Sequence, residues 1–248
     1  MKNISILGSG WLGLPLYQEL SKNNDVKLST RSISKKNEFK NEKVDSFLVD
    51  IDSKLDSKEI NTFLQSDILI INIPSKNIEG FQKLIKYIIK SSIKKIIFIS
   101  STSVCRNRKS PLKIIEKLFQ DTKAETTILR FGGLFGYSRN PANFFKNGKI
   151  VQNPNAPVNM IHRDDCINII KEIINQDIFD EVFDCCSPSH PTKKEFYSYS
   201  ALSSNLSIPI FDVSEGFGTY KAISSEKMIA QLNYEFIYDD LLKWNEIK

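Results

Sequence analysis

The chain has 248 residues, of which 41% are hydrophobic and 25% charged, and its net charge of +5 comes from 34 basic and 29 acidic residues. The composition is that of a globular protein. The length corresponds to one large domain, or to a main domain and a small appendage, and is enough to bury a core without disulfides. We expect no membrane span, because apolar runs such as residues 68–71 are far shorter than the about 20 residues a span requires, and no nucleic-acid partner, because no extended basic face is present.

The reactive side chains that could hold a metal or form disulfides are few. The four cysteines are Cys105, Cys166, Cys185 and Cys186. No pair has zinc-ribbon spacing, and the adjacent pair cannot easily form a disulfide with itself. With two histidines and no clustered carboxylates, no metal site is predicted. Residues 1–4 lead straight into a short apolar run, unlike a signal peptide, so we predict reduced thiols and a cytoplasmic protein.

Short apolar runs alternate with helical stretches through the first half of the chain. The predicted strands are residues 4–7, 26–28, 46–49, 67–73, 95–99 and 127–129. The clearest predicted helices are residues 12–20 and 78–89, where apolar residues recur three and four positions apart. Nearly continuous apolar strands separated by helices predict a parallel sheet covered on both faces. The predicted fold class is therefore α/β, a Rossmann-type doubly wound parallel sheet.

The second half of the chain is more irregular, with loops predicted at residues 136–157. After them come predicted helices at residues 164–174, from Thr192 onward and at 224–232, and predicted strands at 181–184 and 208–211. Thr192, with Glu195 three positions later, is a capping-box pattern. We divide the chain into a sheet-forming core, residues 1–135, and a small mixed C-terminal lobe, residues 136–248, packed on that core as a single structural unit.

A glycine-rich turn follows the first predicted strand directly and opens the first predicted helix. It consists of Gly8, Ser9, Gly10, Trp11, Leu12 and Gly13. We assign the tight turn to Gly8, close approach of a pyrophosphate to Gly10, and close packing of helix against strand to Gly13. The start of the helix offers N–H groups and a positive dipole end to phosphates. In this strand–turn–helix context the pattern predicts a dinucleotide-binding site, and a purely structural glycine turn is the alternative.

The residues after the second predicted strand indicate which dinucleotide binds. NAD is held there by a carboxylate on the ribose 2′-hydroxyl, but the sequence has Ser29, Thr30, Arg31 and Ser32, and Asp25 precedes the strand. The planar Arg31 guanidinium suits a 2′-phosphate, to which the hydroxyls could add hydrogen bonds. We predict NADP as the preferred cofactor and NAD as the alternative, in which case Arg31 is simply a surface arginine.

Four landmarks occur in order along nearly the whole chain. They are the glycine turn and residues 100–104, 129–136 and 158–165. Together they resemble the extended short-chain dehydrogenase/reductases, which are relatives of the sugar-nucleotide epimerases and dehydratases. The short length and the Thr30-Arg31-Ser32 segment are most similar to the atypical members, the NAD(P)-dependent epimerase/dehydratase-like proteins.

The resemblance implies roles for residues beyond the glycine turn. It places the cofactor beside Asp50, Ile51, Asn72, Ile73, Pro74 and Ser100. It implies that Ser101 is the catalytic hydroxyl, although a strand-end residue that caps the next loop is the alternative. His162 and Asp165 match a helix-start landmark, which we interpret as structural rather than catalytic.

The chain departs from the family at the catalytic base. Family members use a tyrosine followed four residues later by a lysine, which helps to lower the tyrosine pKa for proton transfer. Counted from Glu116, these positions fall on Arg108 and Leu112. Cys105 stands where a tyrosine usually follows the valine, and we interpret it as an inert replacement. Tyr137, in a later loop, is the candidate replacement for the missing phenol.

Two functions remain open. The first is an NADP-linked oxidoreductase or epimerase acting on a small substrate, such as a sugar nucleotide, with Ser101 polarising the reacting oxygen. The second is a catalytically degenerate dinucleotide-binding sensor or partner-binding module, which the missing base favours. A hydroxyacid dehydrogenase would carry a long helical second domain, and this tail is short. The family also implies a homodimer, but the shortened region at residues 110–120 weakens that expectation.

Overall fold

The structure is a computed structural model that describes residues 1–53, 55–106, 109–212 and 220–246. Arg108, the predicted tyrosine position, lies outside the described residues. The chain divides into two compact units. Unit 1 comprises Met1–Arg130 and Ile170–Phe183, and unit 2 comprises the described residues of Phe131–Ile169 and Asp184–Lys248. None of the described helices combines the length and the apolar character needed to cross a membrane.

A seven-stranded sheet forms the centre of unit 1. In chain order, the strands of the protein are β1 (Asn3–Leu7), β2 (Asp25–Thr30), β3 (Ser46–Leu48), β4 (Ile68–Ile71), β5 (Lys95–Ser101), β6 (Glu125–Phe131), β7 (Gly133–Phe135), β8 (Met160–His162) and β9 (Val182–Cys185). The large sheet has the order β3-β2-β1-β4-β5-β6-β9. Ile4 of β1 lies between Val26 of β2 and Ile68 of β4, with both pairings parallel. The predicted α/β doubly wound sheet is confirmed.

Helices connect the strands and carry the apolar side chains that cover the sheet. In chain order, they are α1 (Gly13–Leu20), α2 (Ile33–Asn41), α3 (Ser57–Phe63), α4 (Ile78–Ile88), α5 (Ser103–Arg106), α6 (Pro111–Gln120), α7 (Arg163–Gln176), α8 (Lys193–Leu202) and α9 (Glu226–Leu232). In the core of unit 1, Phe81 of α4, Phe98 of β5 and Phe119 of α6 lie with their ring centroids 5.1 to 5.9 Å apart. Such aromatic contacts stabilise the packing of both helices against the sheet.

The strand order places a ligand crevice next to β1. Chain connections run outward from β1 to β2 and β3 on one side and to β4, β5 and β6 on the other. The helices that follow the strands therefore diverge at the carboxyl end of β1, and ligands of doubly wound folds bind in the crevice formed there.

Unit 2 contains the two-stranded parallel sheet of β7 and β8, with α8, α9 and the first half of α7. Its core includes Phe135, Val151 and Phe196. The predicted capping box is confirmed, because Thr192 Oγ1 accepts from the Glu195 N–H and the Glu195 carboxylate accepts from the Thr192 N–H at 2.8 Å. The satisfied N–H groups fix the start of α8.

Two sequence expectations differ from the structure. Residues 170–183 fall in the predicted C-terminal lobe but group with unit 1, because β9 lies beside β6 in the large sheet. The predicted strand at residues 208–211 is wrong. All four residues are described, and they form no strand: the segment makes a single isolated bridge to Val151, whose N–H donates to the Ile210 carbonyl oxygen at 2.8 Å. Pro209 has no N–H to donate to a neighbouring strand.

Candidate functional site

The glycine turn between β1 and α1 has almost no room for side chains at two of its three glycines. Gly8 has a φ of +108°, and a Cβ there would lie 2.5 Å from the Asn72 carbonyl oxygen. A Cβ on Gly13 would lie 1.9 Å from the Gly8 carbonyl oxygen. A Cβ on Gly10 would meet nothing within 4 Å. The fold therefore requires Gly8 and Gly13, whereas Gly10 leaves open space in which a ligand can approach the backbone.

A cavity of about 520 Å³ lies at this turn, at the carboxyl ends of the central strands of unit 1. Its walls come from the glycine turn and from the segments that follow β2, β3 and β4. The lining residues are Gly8, Ser9, Gly10, Ser29, Thr30, Arg31, Ser32, Lys35, Val49, Asp50, Ile51, Asp52, Asn72, Ile73, Pro74 and Ser75. The volume falls within the range of small-molecule and cofactor sites.

Most of the cofactor-binding residues predicted from the sequence line this single cavity. The predicted residues that do not line it are Trp11, Leu12, Gly13 and Ser100. Leu12 and Gly13 are buried, so they shape the turn from within. Four further residues line the cavity and were not predicted from the sequence, namely Lys35, Val49, Asp52 and Ser75. Val49, Asp52 and Ser75 are adjacent in sequence to predicted residues, and this adjacency could have identified them as lining residues.

The end of β2 is tied to the glycine turn by a buried hydroxyl. Ser29 Oγ accepts a hydrogen bond from the Gly8 N–H at 2.9 Å, and Ser29 is 1% exposed. Arg31 is exposed and lines the cavity. Ser32 caps α2 by accepting from the Lys35 N–H. The hydrogen bonds of Ser29 and Ser32 thus hold the chain on both sides of Arg31. The long, positively charged side chain of Arg31 lies at the cavity between them.

Another part of the cavity wall contains a carboxylate that links two segments. Asp52 Oδ1 accepts from Ser75 Oγ at 2.9 Å and from Asn77 Nδ2 at 3.1 Å, which joins the chain after β3 to the chain after β4. Asp50 Oδ1 accepts from the Asp52 N–H at 3.0 Å. Ile51 is buried between them. This side combines apolar surface with fixed polar groups, which suits a flat heterocyclic base.

Ser100 is engaged in a buried ionic cluster instead of lining the cavity. Its hydroxyl donates to Glu116 Oε1 at 2.5 Å. The Glu116 carboxylate is 3% exposed and also accepts from Arg130, from Nη2 at 2.7 Å and from Nε at 3.0 and 3.2 Å. The cluster joins β5, α6 and β6 inside unit 1. The prediction that Ser100 contacts the cofactor has no support from this geometry.

The structure places no phenol–ammonium pair at the described positions around the end of β5. Ser101 Oγ accepts from the Ser103 N–H at 3.2 Å, which is the capping role given as its alternative. Leu112, the predicted lysine position, packs against the hydrophobic core of unit 1. Cys105 is exposed at the end of α5. The Ser101 O–H can still donate, because its oxygen serves only as acceptor in this bond.

Tyr137 of unit 2, the candidate replacement for the missing base, is engaged by its neighbours in that unit. Its phenol oxygen lies 3.0 Å from both carboxylate oxygens of Asp164. The Arg163 guanidinium carbon lies 3.6 Å from the ring centroid. Burial and the Asp164 carboxylate raise the pKa of Tyr137 above its usual value. A phenol with a raised pKa stays protonated at neutral pH, so these contacts disfavour Tyr137 as a general base.

His162 is a buried aromatic residue of unit 2. It is 4% exposed, and its ring centroid lies 3.7 Å from that of Tyr238 and 5.2 Å from that of Phe135. Burial lowers the pKa of His162 to about 4. A Cβ on Gly136 would lie 2.1 Å from His162 Nε2, so Gly136 makes room for the ring. These contacts agree with a structural role.

Asp165 anchors the C-terminal segment of unit 2. This fully buried carboxylate accepts from Tyr234 Oη and the Ile237 N–H at 2.8 Å, and from the Tyr238 N–H at 3.2 Å. Burial raises the pKa of Asp165 despite these bonds. Its acceptor capacity is used inside the protein, so the geometry agrees with the structural interpretation of this residue too.

Three of the four cysteines lie in the protein interior. Cys166, Cys185 and Cys186 are buried, and burial raises the pKa of the Cys166 and Cys185 thiols well above the usual range. Raised pKa values make thiols poor nucleophiles. Among the described residues, no group of three or more His, Cys, Asp and Glu side chains is arranged to hold a metal ion.

Comparisons with known proteins identify the fold. No family model matches the chain. UDP-glucose 4-epimerase from Thermotoga maritima, solved with UDP-glucose, superposes with a TM-score of 0.75 and 16% identity over 98% of both chains. UDP-glucuronic acid 4-epimerase from Bacillus cereus, solved with UDP-glucuronic acid and NAD, gives a TM-score of 0.74 and 17% identity over 98% of this chain and 96% of that one. The protein has the fold of the epimerase/dehydratase-like short-chain dehydrogenase/reductases.

Two further proteins are similar to this chain over nearly its whole length, one in structure and one in sequence. A short-chain dehydrogenase/reductase superfamily protein from Agrobacterium tumefaciens, solved with bound NAD, gives a TM-score of 0.75 and 14% identity over 97% of this chain and 95% of that chain. Protein YeeZ of Escherichia coli strain K12 is 28% identical over 98% of both chains. The epimerase-like fold therefore extends over the sheet and the C-terminal residues alike.

Proposed function

We propose that the protein binds NADP(H) in the cavity at the glycine turn. The observation that carries this proposal is the wall after β2, where Arg31 faces the cavity and no carboxylate is present. A carboxylate at this place would bind the 2′-hydroxyl of NAD, whereas an arginine accommodates the 2′-phosphate of NADP. The NAD-containing structures with the same fold support dinucleotide binding in general.

The chain's own residues fit the parts of such a cofactor. The open backbone at Gly10 and the start of α1 suit a pyrophosphate, since N–H groups and the helix dipole attract negative charge there. The wall of Val49, Ile51 and Ile73 suits the adenine ring. When bound, the nicotinamide supplies hydride transfer. Gly8 and Gly13 support this role indirectly, since a side chain at either position would overlap backbone and distort the turn that presents Gly10 to the cavity.

We further propose that the protein works as a dinucleotide-binding sensor or partner-binding module without the family's proton relay. Leu112 packs into the core at the predicted lysine position, and Tyr137 is protonated and engaged by Asp164. Proton transfer at neutral pH needs a group with a pKa near the operating pH. The described residues at these positions supply none.

A second candidate function is an NADP-linked oxidoreductase or epimerase acting on a small substrate such as a sugar nucleotide. One observation favours it. Ser101 is partly exposed at the end of β5, and its O–H remains available to polarise a substrate oxygen. Two of the proteins with this fold are epimerases solved with UDP-sugars. This function requires a proton-transfer group in addition to Ser101.

Replacement of Arg31 tests whether this residue binds the 2′-phosphate of NADPH. Arg31→Ala should weaken NADPH binding by about tenfold or more, since charge-assisted hydrogen bonds to phosphate are strong, and should change NADH binding by less than about threefold. Dissociation constants from titration of the purified protein measure both. Lys40→Ala, at an exposed lysine in the last turn of α2, is the matched control and should change neither. Equal losses for both cofactors in Arg31→Ala would refute the 2′-phosphate assignment.

The sensor and the enzyme differ in turnover. If binding is the function, the wild-type protein should bind NADPH and show no oxidation of it in the presence of aldehydes, ketones or UDP-sugars, and no interconversion of UDP-sugar epimers. Absorbance at the reduced nicotinamide band and chromatography of the sugars measure these reactions. If the wild-type protein turns over one of these substrates and Ser101→Ala abolishes the reaction, the protein is an enzyme and the sensor proposal is wrong.

A further inference from the structure

Lys35 is a cation at the cavity that the fold already holds in place. It lies in the first turn of α2, and its Nζ donates to the Ser9 carbonyl oxygen at 2.6 Å. The same Nζ lies 5.4 Å from the centroid of the Phe39 ring. Lys35 lines the cavity together with Arg31 and joins the segment after β2 to the glycine turn after β1.

We propose that Lys35 determines cofactor specificity as a second cation for the 2′-phosphate, and that its bond to Ser9 couples phosphate recognition to the glycine turn. This inference rests on the proposed function, since it requires a dinucleotide in the cavity. Lys35 lies five positions beyond the end of β2. Its bond to Ser9 would link the site of the 2′-phosphate to the site of the pyrophosphate.

The ammonium group can serve both partners. Lysine has three N–H donors, and one bond to the Ser9 carbonyl leaves two for phosphate oxygens. The contacts with Ser9 and Phe39 restrict the side chain before any ligand arrives, so less conformational entropy is lost on binding. Arg31, which is exposed and precedes α2, offers a planar fork to the same phosphate.

The charges that face this part of the cavity favour an anion. Arg31 and Lys35 are the basic side chains among the lining residues, and Asp50 and Asp52 are the acidic ones. Asp52 is bonded to Ser75 and Asn77, and Asp50 accepts from a backbone N–H, so both belong to the wall after β3. The positive charge at the cavity is therefore concentrated after β2, and the negative charge is held by the segment after β3.

The structure separates two effects of Lys35, its charge and its tie to Ser9. Lys35→Gln removes the charge and keeps an N–H donor for the Ser9 carbonyl. Lys35→Met removes both, and Lys35→Arg keeps the charge. We expect Lys35→Gln to weaken NADPH binding by about tenfold and to leave NADH binding within about twofold. Lys35→Met should weaken NADPH further and NADH by a few-fold, while Lys35→Arg should keep the ratio of the two affinities within about threefold of wild type.

The experiment measures dissociation constants for NADPH and NADH with wild type, the three Lys35 variants, Arg31→Ala, and Arg31→Ala combined with Lys35→Gln. Lys40→Gln, the same change on the same helix, is the matched control, and thermal melting checks folding. Arg31→Ala should retain a residual preference for NADPH, and adding Lys35→Gln should abolish it. The inference is overturned if Lys35→Gln behaves like Lys40→Gln, or if it weakens both cofactors equally. If wild type binds neither cofactor, it is the proposed function that fails.

Discussion

Gly10 and Gly13 lie three residues apart in the turn after β1 but meet different surroundings. A Cβ at Gly10 has open space, and a Cβ at Gly13 would overlap the Gly8 carbonyl oxygen. We predict that Gly10→Ala leaves the free energy of unfolding within about 0.5 kcal/mol of wild type and weakens NADPH binding by about tenfold or more. Chemical denaturation and ligand titration measure the two effects.

Gly13→Ala is the matched change, and it should lower the free energy of unfolding by about 2 kcal/mol or more, because backbone must shift to relieve the overlap. A Gly10→Ala variant that folds normally and binds NADPH as wild type would show that no phosphate approaches the backbone there. A Gly13→Ala variant as stable as Gly10→Ala would contradict the packing role of Gly13.

The buried imidazole of His162 makes stability depend on pH. Burial lowers its pKa to about 4 in the folded protein, against about 6.5 when unfolded. Between these values the unfolded chain binds a proton that the folded protein does not, so stability is complete above pH 6.5 and falls as the pH drops towards 4. The full loss is about 3 kcal/mol, or about 1 kcal/mol per pH unit between pH 6 and 5.

Urea unfolding at several pH values measures this slope. His162→Phe keeps an aromatic ring against Tyr238 and Phe135 and removes the titrating group, so it should reduce the slope between pH 6 and 5 by about 1 kcal/mol per unit. The same slope in the variant and in wild type would show that His162 titrates normally in the folded protein.

At the scale of elements, the ion pair between α6 and β6 organises the end of the sheet in unit 1. Glu116 is buried, and its partner Arg130 is 22% exposed. Glu116→Gln leaves the guanidinium with a neutral acceptor and should lower the free energy of unfolding by about 2 kcal/mol or more. Lys117→Gln, which removes an exposed pair with Asp121 on the same helix, should cost less than about 0.5 kcal/mol. Equal losses in denaturation experiments would contradict this ranking.

The strands of the large sheet could be predicted from the sequence, whereas α2 and the segment at residues 208–211 could not. β4 is buried along its whole length, so its apolar run is unbroken. α2 buries Phe39 alone, and its other residues show no apolar repeat. Without the start of α2, nothing in the sequence placed Lys35 at the cavity. On either side of Pro209, Ile208 and Ile210 are exposed, so an apolar run there does not mark a buried strand.

Across the whole molecule, most residues of the cavity could be predicted from the sequence, whereas the contacts of the candidate catalytic residues could not. The lining residues follow strands in the sequence, so locating the strands also located Arg31, Asp50 and Asn72. The catalytic positions depend on side-chain contacts that a pattern does not contain. The hydroxyl of Ser100 donates a hydrogen bond to Glu116, and the phenol of Tyr137 donates one to Asp164.

We propose that this epimerase-like fold binds NADP(H) through the cations that follow β2. Parallel titrations of the wild-type protein with NADPH and NADH, at one pH and one ionic strength, test it most directly. We expect micromolar or tighter binding of NADPH and at least about tenfold weaker binding of NADH. Binding of neither cofactor, or equal or tighter binding of NADH, would contradict it.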